Sequence, residues 1–186
     1  MKKSSVLFYA FAIAACFTST IKAQTEEFKL QKVLRVNALN PGIEYELPIL
    51  KRVVVATNLG VGYGGSYKNT TEYTPSGWLY MISPFLDIEF KHLYSIDKRA
   101  KKGKKVNFNS SNYWGIRCLT RGKEIDSNFD RYDDWDCAIG PVWGLQRSIG
   151  RVHLLFDAGM SYYFDSERSG VSPNIQLNIG YSLFKK

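Results

Sequence analysis

Beyond residue 40 the chain alternates apolar and polar positions with a period of two, the pattern of strands with one apolar face. Ile43, Tyr45, Leu47 and Ile49 alternate with Glu44, Glu46 and Pro48, and a short turn at Leu50-Lys51-Arg52 follows. Val53, Val55, Thr57, Leu59, Val61 and Tyr63 then form one face of a second strand, opposite a face rich in glycine. After a polar stretch from Ser66 to Ser76, a third strand sets Tyr80, Ile82, Pro84, Leu86, Ile88 and Phe90 against Ser83, Asp87, Glu89 and Lys91, with Phe85 the exception on the polar face. A fourth runs from Tyr113 to Arg121, with Trp114, Ile116 and Cys118 opposite Gly115 and Arg117. The fifth sets Trp135, Cys137, Ile139, Pro141, Trp143 and Leu145 against Ala138, Gly140, Gly144 and Gln146. A tight turn at Ser148-Ile149-Gly150-Arg151 leads to the sixth, where Val152, Leu154, Phe156, Ala158, Met160, Tyr162 and Phe164 oppose His153, Asp157, Gly159 and Ser161. Ser166 to Gly170 is a loop, and the last strand alternates Ile175, Leu177, Ile179, Tyr181 and Leu183 with Asn174, Gln176, Asn178, Gly180 and Ser182.

Three features of this pattern favour an antiparallel barrel crossing a membrane over a soluble sandwich. Most of the runs match the roughly 9–11 tilted residues a strand needs to cross a bilayer, whereas average strands are about 5–6 residues long. The second face is small, polar or charged, which suits a narrow interior in which Glu44, Glu46, Asp87, Glu89 and Asp157 could meet Lys91 and Arg117, with His153 beside them. Tight turns near 51 and 150 alternate with longer connections at 66–76, 124–134 and 166–170, like the short periplasmic turns and longer outer loops of membrane barrels. Seven strands are clear, and such barrels normally have an even number. Phe28 to Val36 is the candidate eighth, with Asn40-Pro41-Gly42 as its turn; the alternative is one long strand over 32–49. We therefore expect an all-β, up-and-down transmembrane barrel of eight strands.

The N-terminus adds an address. Lys2 and Lys3 precede an apolar run from Val6 to Phe17, too short for a helical span of about 20 residues. Ile21-Lys22-Ala23 before Gln24 places signal cleavage after Ala23, dividing the chain into a signal peptide (1–23) and a barrel domain (24–186). Ile13-Ala14-Ala15-Cys16 offers a competing, lipobox-like reading with Cys16 lipidated. The whole chain carries 25 basic and 17 acidic residues, net +8. Loss of Lys2, Lys3 and Lys22 leaves +5, too mild a charge to indicate nucleic acid. Much of it lies in Lys98-Arg99-Ala100-Lys101-Lys102-Gly103-Lys104-Lys105, which is read as the turn after the third strand, with anionic headgroups as its alternative partner.

Chemistry is sparse. His153, Asp157 and Ser161 share a strand face, but residues two and four apart are strung out along a strand, so a satisfied interior histidine is expected and not a nucleophilic set. His92 falls on the apolar face. The acidic stretch Glu124, Asp126, Asp130, Asp133, Asp134 and Asp136 lacks calcium-loop spacing and reads as a solvated loop. No catalytic residue, metal or cofactor is assigned. Cys118 and Cys137 fall on the outward face of adjacent strands; a disulfide there and two free buried thiols remain alternatives.

The runs Asn37 to Glu46, Leu59-Gly60-Val61-Gly62-Tyr63-Gly64 and Ile139-Gly140-Pro141-Val142-Trp143-Gly144, with the closing Asn178 to Phe184, resemble small outer-membrane β-barrel proteins of the OmpA-transmembrane-like type over nearly the whole mature chain. Lys185 and Lys186 depart from that pattern by following the aromatic that usually ends such a chain. The resemblance implies a monomer in the outer membrane of a Gram-negative-type cell. Its contacts would be outer-membrane lipid, lipopolysaccharide and the barrel-assembly machinery, with no nucleic acid, and its role would be structural or interactive through the outer loops. A narrow pore or lipid-modifying enzyme on the same fold is the alternative. A secreted lipocalin-like carrier is the third reading, and it would require an apolar interior.

Overall fold

Strands with one apolar and one charged face must hide the charged face from a poor solvent or the apolar face from water, and here they close on themselves. The computed structural model describes residues 28–67, 78–128, 133–167 and 169–185. The signal-peptide reading, Cys16, Asp130 and most of the 66–76 stretch lie outside the described residues. The strands are β1 (Val33–Asn37), β2 (Gly42–Leu50), β3 (Val53–Tyr67), β4 (Trp78–His92), β5 (Asn112–Arg121), β6 (Asp126–Ser127), β7 (Asp136–Ile149), β8 (Val152–Phe164) and β9 (Ser169–Lys185). All belong to one sheet with antiparallel pairing throughout. Its hydrogen bonds run in a complete circuit β1-β2-β3-β4-β5-β7-β8-β9 and back to β1, so eight strands form a ring.

The stretch at 28–36 does supply the eighth member, but later and shorter than its alternation suggested. Val33–Asn37 pairs with β2 on one side and β9 on the other, while residues 28–32 leave the sheet. The ninth strand is a correction to the eight expected. After β5 ends opposite Phe85, Gly122 N–H donates to the Pro84 carbonyl and Ile125 N–H to that of Ile82. β6 thereby continues along β4, pairing with Met81 and Ile82 where β5 has stopped.

The turns at 51–52 and 150–151, the residues from 28 to 32 and the connection 93–111 all lie at one end, called here the near end. β3, β5, β7 and β8 run between this end and the far end, where the acidic connection between β5 and β7 lies. The basic segment, expected as a turn, contains a short helix α1 (Ile96–Lys101) and a tight bend at Asn107–Asn109. Ile96 and Leu93, both fully buried, tuck under the ring against Leu30, Val54, Tyr113 and Val142, flanked by Phe28 and Val106. Arg52 holds the first turn of α1 through Asp97 at 2.5 Å. This end cap is the compact apolar cluster among the described residues; most other apolar side chains point outward.

Candidate functional site

The interior is built from alternate residues of all eight ring strands, and it is polar. Arg35, Glu46, His153 and Asp157 are 0% exposed and Lys91 is 1% exposed, whereas Ile175, Tyr63 and Leu59 on the outer face are more than 60% exposed. The structure places Glu44, Glu46, Asp87, Glu89, Lys91, Arg117, His153 and Asp157 inside the ring, all buried.

Two clusters organise them. Near the cap, Arg35 donates to Glu44 at 2.7 Å, to Glu46 at 2.9 Å and to the Phe108 carbonyl at 3.0 Å. Asn37 donates to the second oxygen of Glu44, and Asn109 and Gln146 both donate to Glu46. Deeper in, Arg117 grips Asp87 through Nε and Nη2 at 2.7–3.0 Å and lies 3.6 Å from Asp157, which also accepts from Tyr113. Such forked guanidinium–carboxylate pairs are the strongest of the charge-assisted hydrogen bonds. Lys91 joins the clusters. Its Nζ is 3.4 Å from Glu89, 3.9 Å from Glu44, 4.0 Å from Glu46 and 5.0 Å from the centre of the Tyr113 ring. Tyr113 fits only because Gly144 faces it from β7; a Cβ there would sit 2.5 Å from the phenol carbon.

The bend that caps the first cluster is strained. Phe108 and Asn109 have φ of 53° and 58°, a left-handed conformation that asparagine tolerates and phenylalanine rarely adopts. Hydrogen bonds over-determine it. Gln31 Oε1 accepts from Phe108 N–H, Asn109 exchanges two bonds with the Gln31 backbone, and Arg35 binds the Phe108 carbonyl. The N-terminal segment and the 107–111 bend thus seal the near end from both sides of the chain. Within the ring, a cavity of about 10 Å³ remains between Glu44, Asn58, Asp87, Glu89 and Gln176, space for roughly one water molecule.

The residues weighed for catalysis do not assemble. His153 is buried with no hydrogen bond to either ring nitrogen among the described residues. Ser161 accepts from Asn174, and Asp157 is engaged by Tyr113 and Arg117. His92 faces outward, edge-on to Trp114 at 5.1 Å. The acidic residues of the far end are dispersed. Asp126 meets Tyr80, Asp133 meets Ser166, Asp134 meets Lys123 and Asp136 meets Arg121. Among the described residues no group of three or more His, Cys, Asp or Glu is placed to hold a metal ion. Cys118 and Cys137 lie on adjacent strands with their sulfurs 3.7 Å apart and unbonded.

Sequence reasoning missed Arg35, Asn37, Asn109 and Tyr113 as members of the interior. The first two carried a usable signal, since Val33, Arg35 and Asn37 share the parity of one strand face; Asn109 carried none, because its place depends on the bend.

The two ends differ in charge. At the near end Lys29, Lys32, Lys51, Lys98, Lys101, Lys102, Lys104, Lys105 and Arg151 are exposed, and the acidic group among the described residues there is Asp97, paired with Arg52. Among the described residues the far end presents Glu124, Asp126, Asp133, Asp134, Asp165 and Glu167, with Lys123 an exposed base beside Asp134. Comparison with protein-family models, with curated proteins and with solved structures finds no match.

Proposed function

We propose that this chain is an exported, integral outer-membrane β-barrel with a structural or interaction role, whose acidic far end is the outward contact surface. The observation that carries the reading is the inverted polarity of a closed ring: charge and amide inside, Ile, Leu, Val and aromatic side chains outside. In water, that outer surface would be an apolar patch far beyond the few hundred Å² a soluble monomer tolerates. In a bilayer it is the expected lipid face.

The aromatic residues support a membrane position. Trp114 and Trp143, the latter donating to the Tyr94 hydroxyl at 3.0 Å, lie toward the near end. Trp135, Tyr162 and Phe164 cluster toward the far end. Trp135 and Trp143 are eight positions apart on β7 and its approach. At about 3.3 Å per residue and a tilt of about 40°, that is roughly 20 Å of height, close to the ≈ 25 Å apolar band between the aromatic girdles of membrane barrels. The basic near end then falls at the level of the periplasmic headgroups, where anionic phospholipid attracts lysine and arginine. Lipopolysaccharide and the assembly machinery are the contacts this reading implies.

The filled interior and the sealed near end argue against an open pore, and the dispersed histidines argue against a lipid-modifying enzyme. A lipocalin-like carrier conflicts with an interior of ion pairs. Membrane fractionation with gel mobility tests the proposal. The protein should sediment with the outer membrane, require detergent for release and migrate differently before and after boiling. Recovery in the soluble fraction with no mobility shift would refute it.

A further inference from the structure

We propose that Cys118 and Cys137 are a redox-linked pair that closes into a disulfide bridging β5 and β7. The register sets Cys118 opposite Ile139 and Cys137 opposite Thr120, so the two cysteines are diagonal neighbours on the outer face. Their sulfurs are 3.7 Å apart, and the near neighbour of Cys137 besides Cys118 is the Thr120 hydroxyl at 3.8 Å. Diagonal neighbours on adjacent strands lie about 7–8 Å apart at Cα, at the upper limit for a bridge, so closing the gap to a bond of about 2.05 Å takes side-chain rotation and a small local shift of the strands. The position has a consequence. The two residues, 19 apart in sequence, bracket the connection that folds β6 back onto β4 and carries the acidic far-end residues. A bridge there clamps the base of the outward contact surface.

On the proposed membrane reading both thiols face lipid, so the bridge forms as the chain is exported, before the ring inserts. One cysteine thiolate attacks a disulfide oxidant, forming a mixed disulfide and expelling one carrier thiolate. The other cysteine thiolate then attacks the bound cysteine sulfur and expels the second. Two thiols become one disulfide, the oxidant takes up the two electrons, and the two protons pass to the released thiolates.

The test uses the purified full-length protein in detergent, so it holds wherever the ring resides in the cell. After refolding into detergent in the presence of oxidised glutathione, and alkylation under denaturing, non-reducing conditions, trypsin should release peptides 118–121 and 132–147 joined. Their mass should be two hydrogens below the sum of the separate peptides, and reductant should part them. Cys137→Ser and Cys118→Ser should each trap glutathione on the remaining cysteine. Both cysteines alkylated as free thiols after oxidation would overturn the bridge.

Discussion

Lys91 offers the sharpest test of the charged interior. Its ammonium is 1% exposed and lies within 4.0 Å of Glu89, Glu44 and Glu46. Replacement by Met keeps much of the side-chain volume and removes the charge. Glu44 and Glu46 would keep Arg35, at 2.7 and 2.9 Å. Glu89 would lose its close cation, and its Oε1 already has no hydrogen bond among the described residues. Breaking a buried pair from one side costs about 3–5 kcal/mol, because the remaining charge is stranded. We expect Lys91→Met to lower unfolding stability by about that amount, and Lys91→Met/Glu89→Gln to recover about 0.5–3 kcal/mol of it, the range of coupling energies between groups in contact. The assay is urea unfolding in lipid vesicles or detergent, followed by tryptophan fluorescence, with both single variants and the double variant completing the cycle. If Lys91→Met does not fold, a folded double variant still demonstrates the coupling. A loss below about 1 kcal/mol, within what exposed pairs contribute, or strict additivity across the cycle, would refute the argument that the interior is held by compensating charge.

Two further outcomes follow from packing and from solvent. Gly144→Val should destabilise the ring by about 1–3 kcal/mol or more, the cost of overpacking, because its Cβ would meet Tyr113 at 2.5–2.6 Å and Asp157 Cβ at 2.8 Å. The same unfolding assay reads it, and wild-type stability would show that Tyr113 does not occupy the interior as described. Ile139, midway between Trp135 and Trp143 and 43% exposed, tests the outer solvent. Ile139→Lys should cost about 2–4 kcal/mol in a lipid bilayer, as charges on the lipid face near the midplane do. An effect near zero would mean that the outer face meets water.

The ring strands were legible because period two carries two facts at once, the presence of a strand and the face each residue occupies. One parity choice at Ile43 fixes Glu44 and Glu46 inside, and the same holds for Asp87, Glu89 and Lys91 on β4. Phe85, the apolar exception on that face, is 7% exposed inside the ring, so parity outranked its hydrophobicity. Elements without a period were missed. α1 spans six residues, too few for a helical stripe, and depends on Ile96 and Leu93 entering a cluster to which the ring strands contribute Val54, Tyr113 and Val142. β6 has two residues and exists because β5 stops early along β4.

The pairing of charges was less legible than their placement, for a geometric reason. From the sequence, Lys91 and Arg117 were the cations available to five carboxylates. Arg117 does bind Asp87, and Asp157 lies at 3.6 Å, but Glu44 and Glu46 belong chiefly to Arg35. That pairing follows once β1 and β2 are known to be a hairpin, because the register sets Arg35 directly opposite Glu44, with Glu46 two residues along the same face. Arg35 also binds the Phe108 carbonyl, in a bend held in turn by Gln31. Arg35, absent from the cations the alternation singled out, therefore ties together the first ring strand, the capping bend and the carboxylates of β2. A buried guanidinium with five donors in a fixed fork can serve three acceptors at once, which a lysine in its place could not do with the same geometry. The end of the ring is consequently closed by the same ion-pair network that neutralises its interior, so disrupting the charge at Arg35 and opening the near end are one structural event.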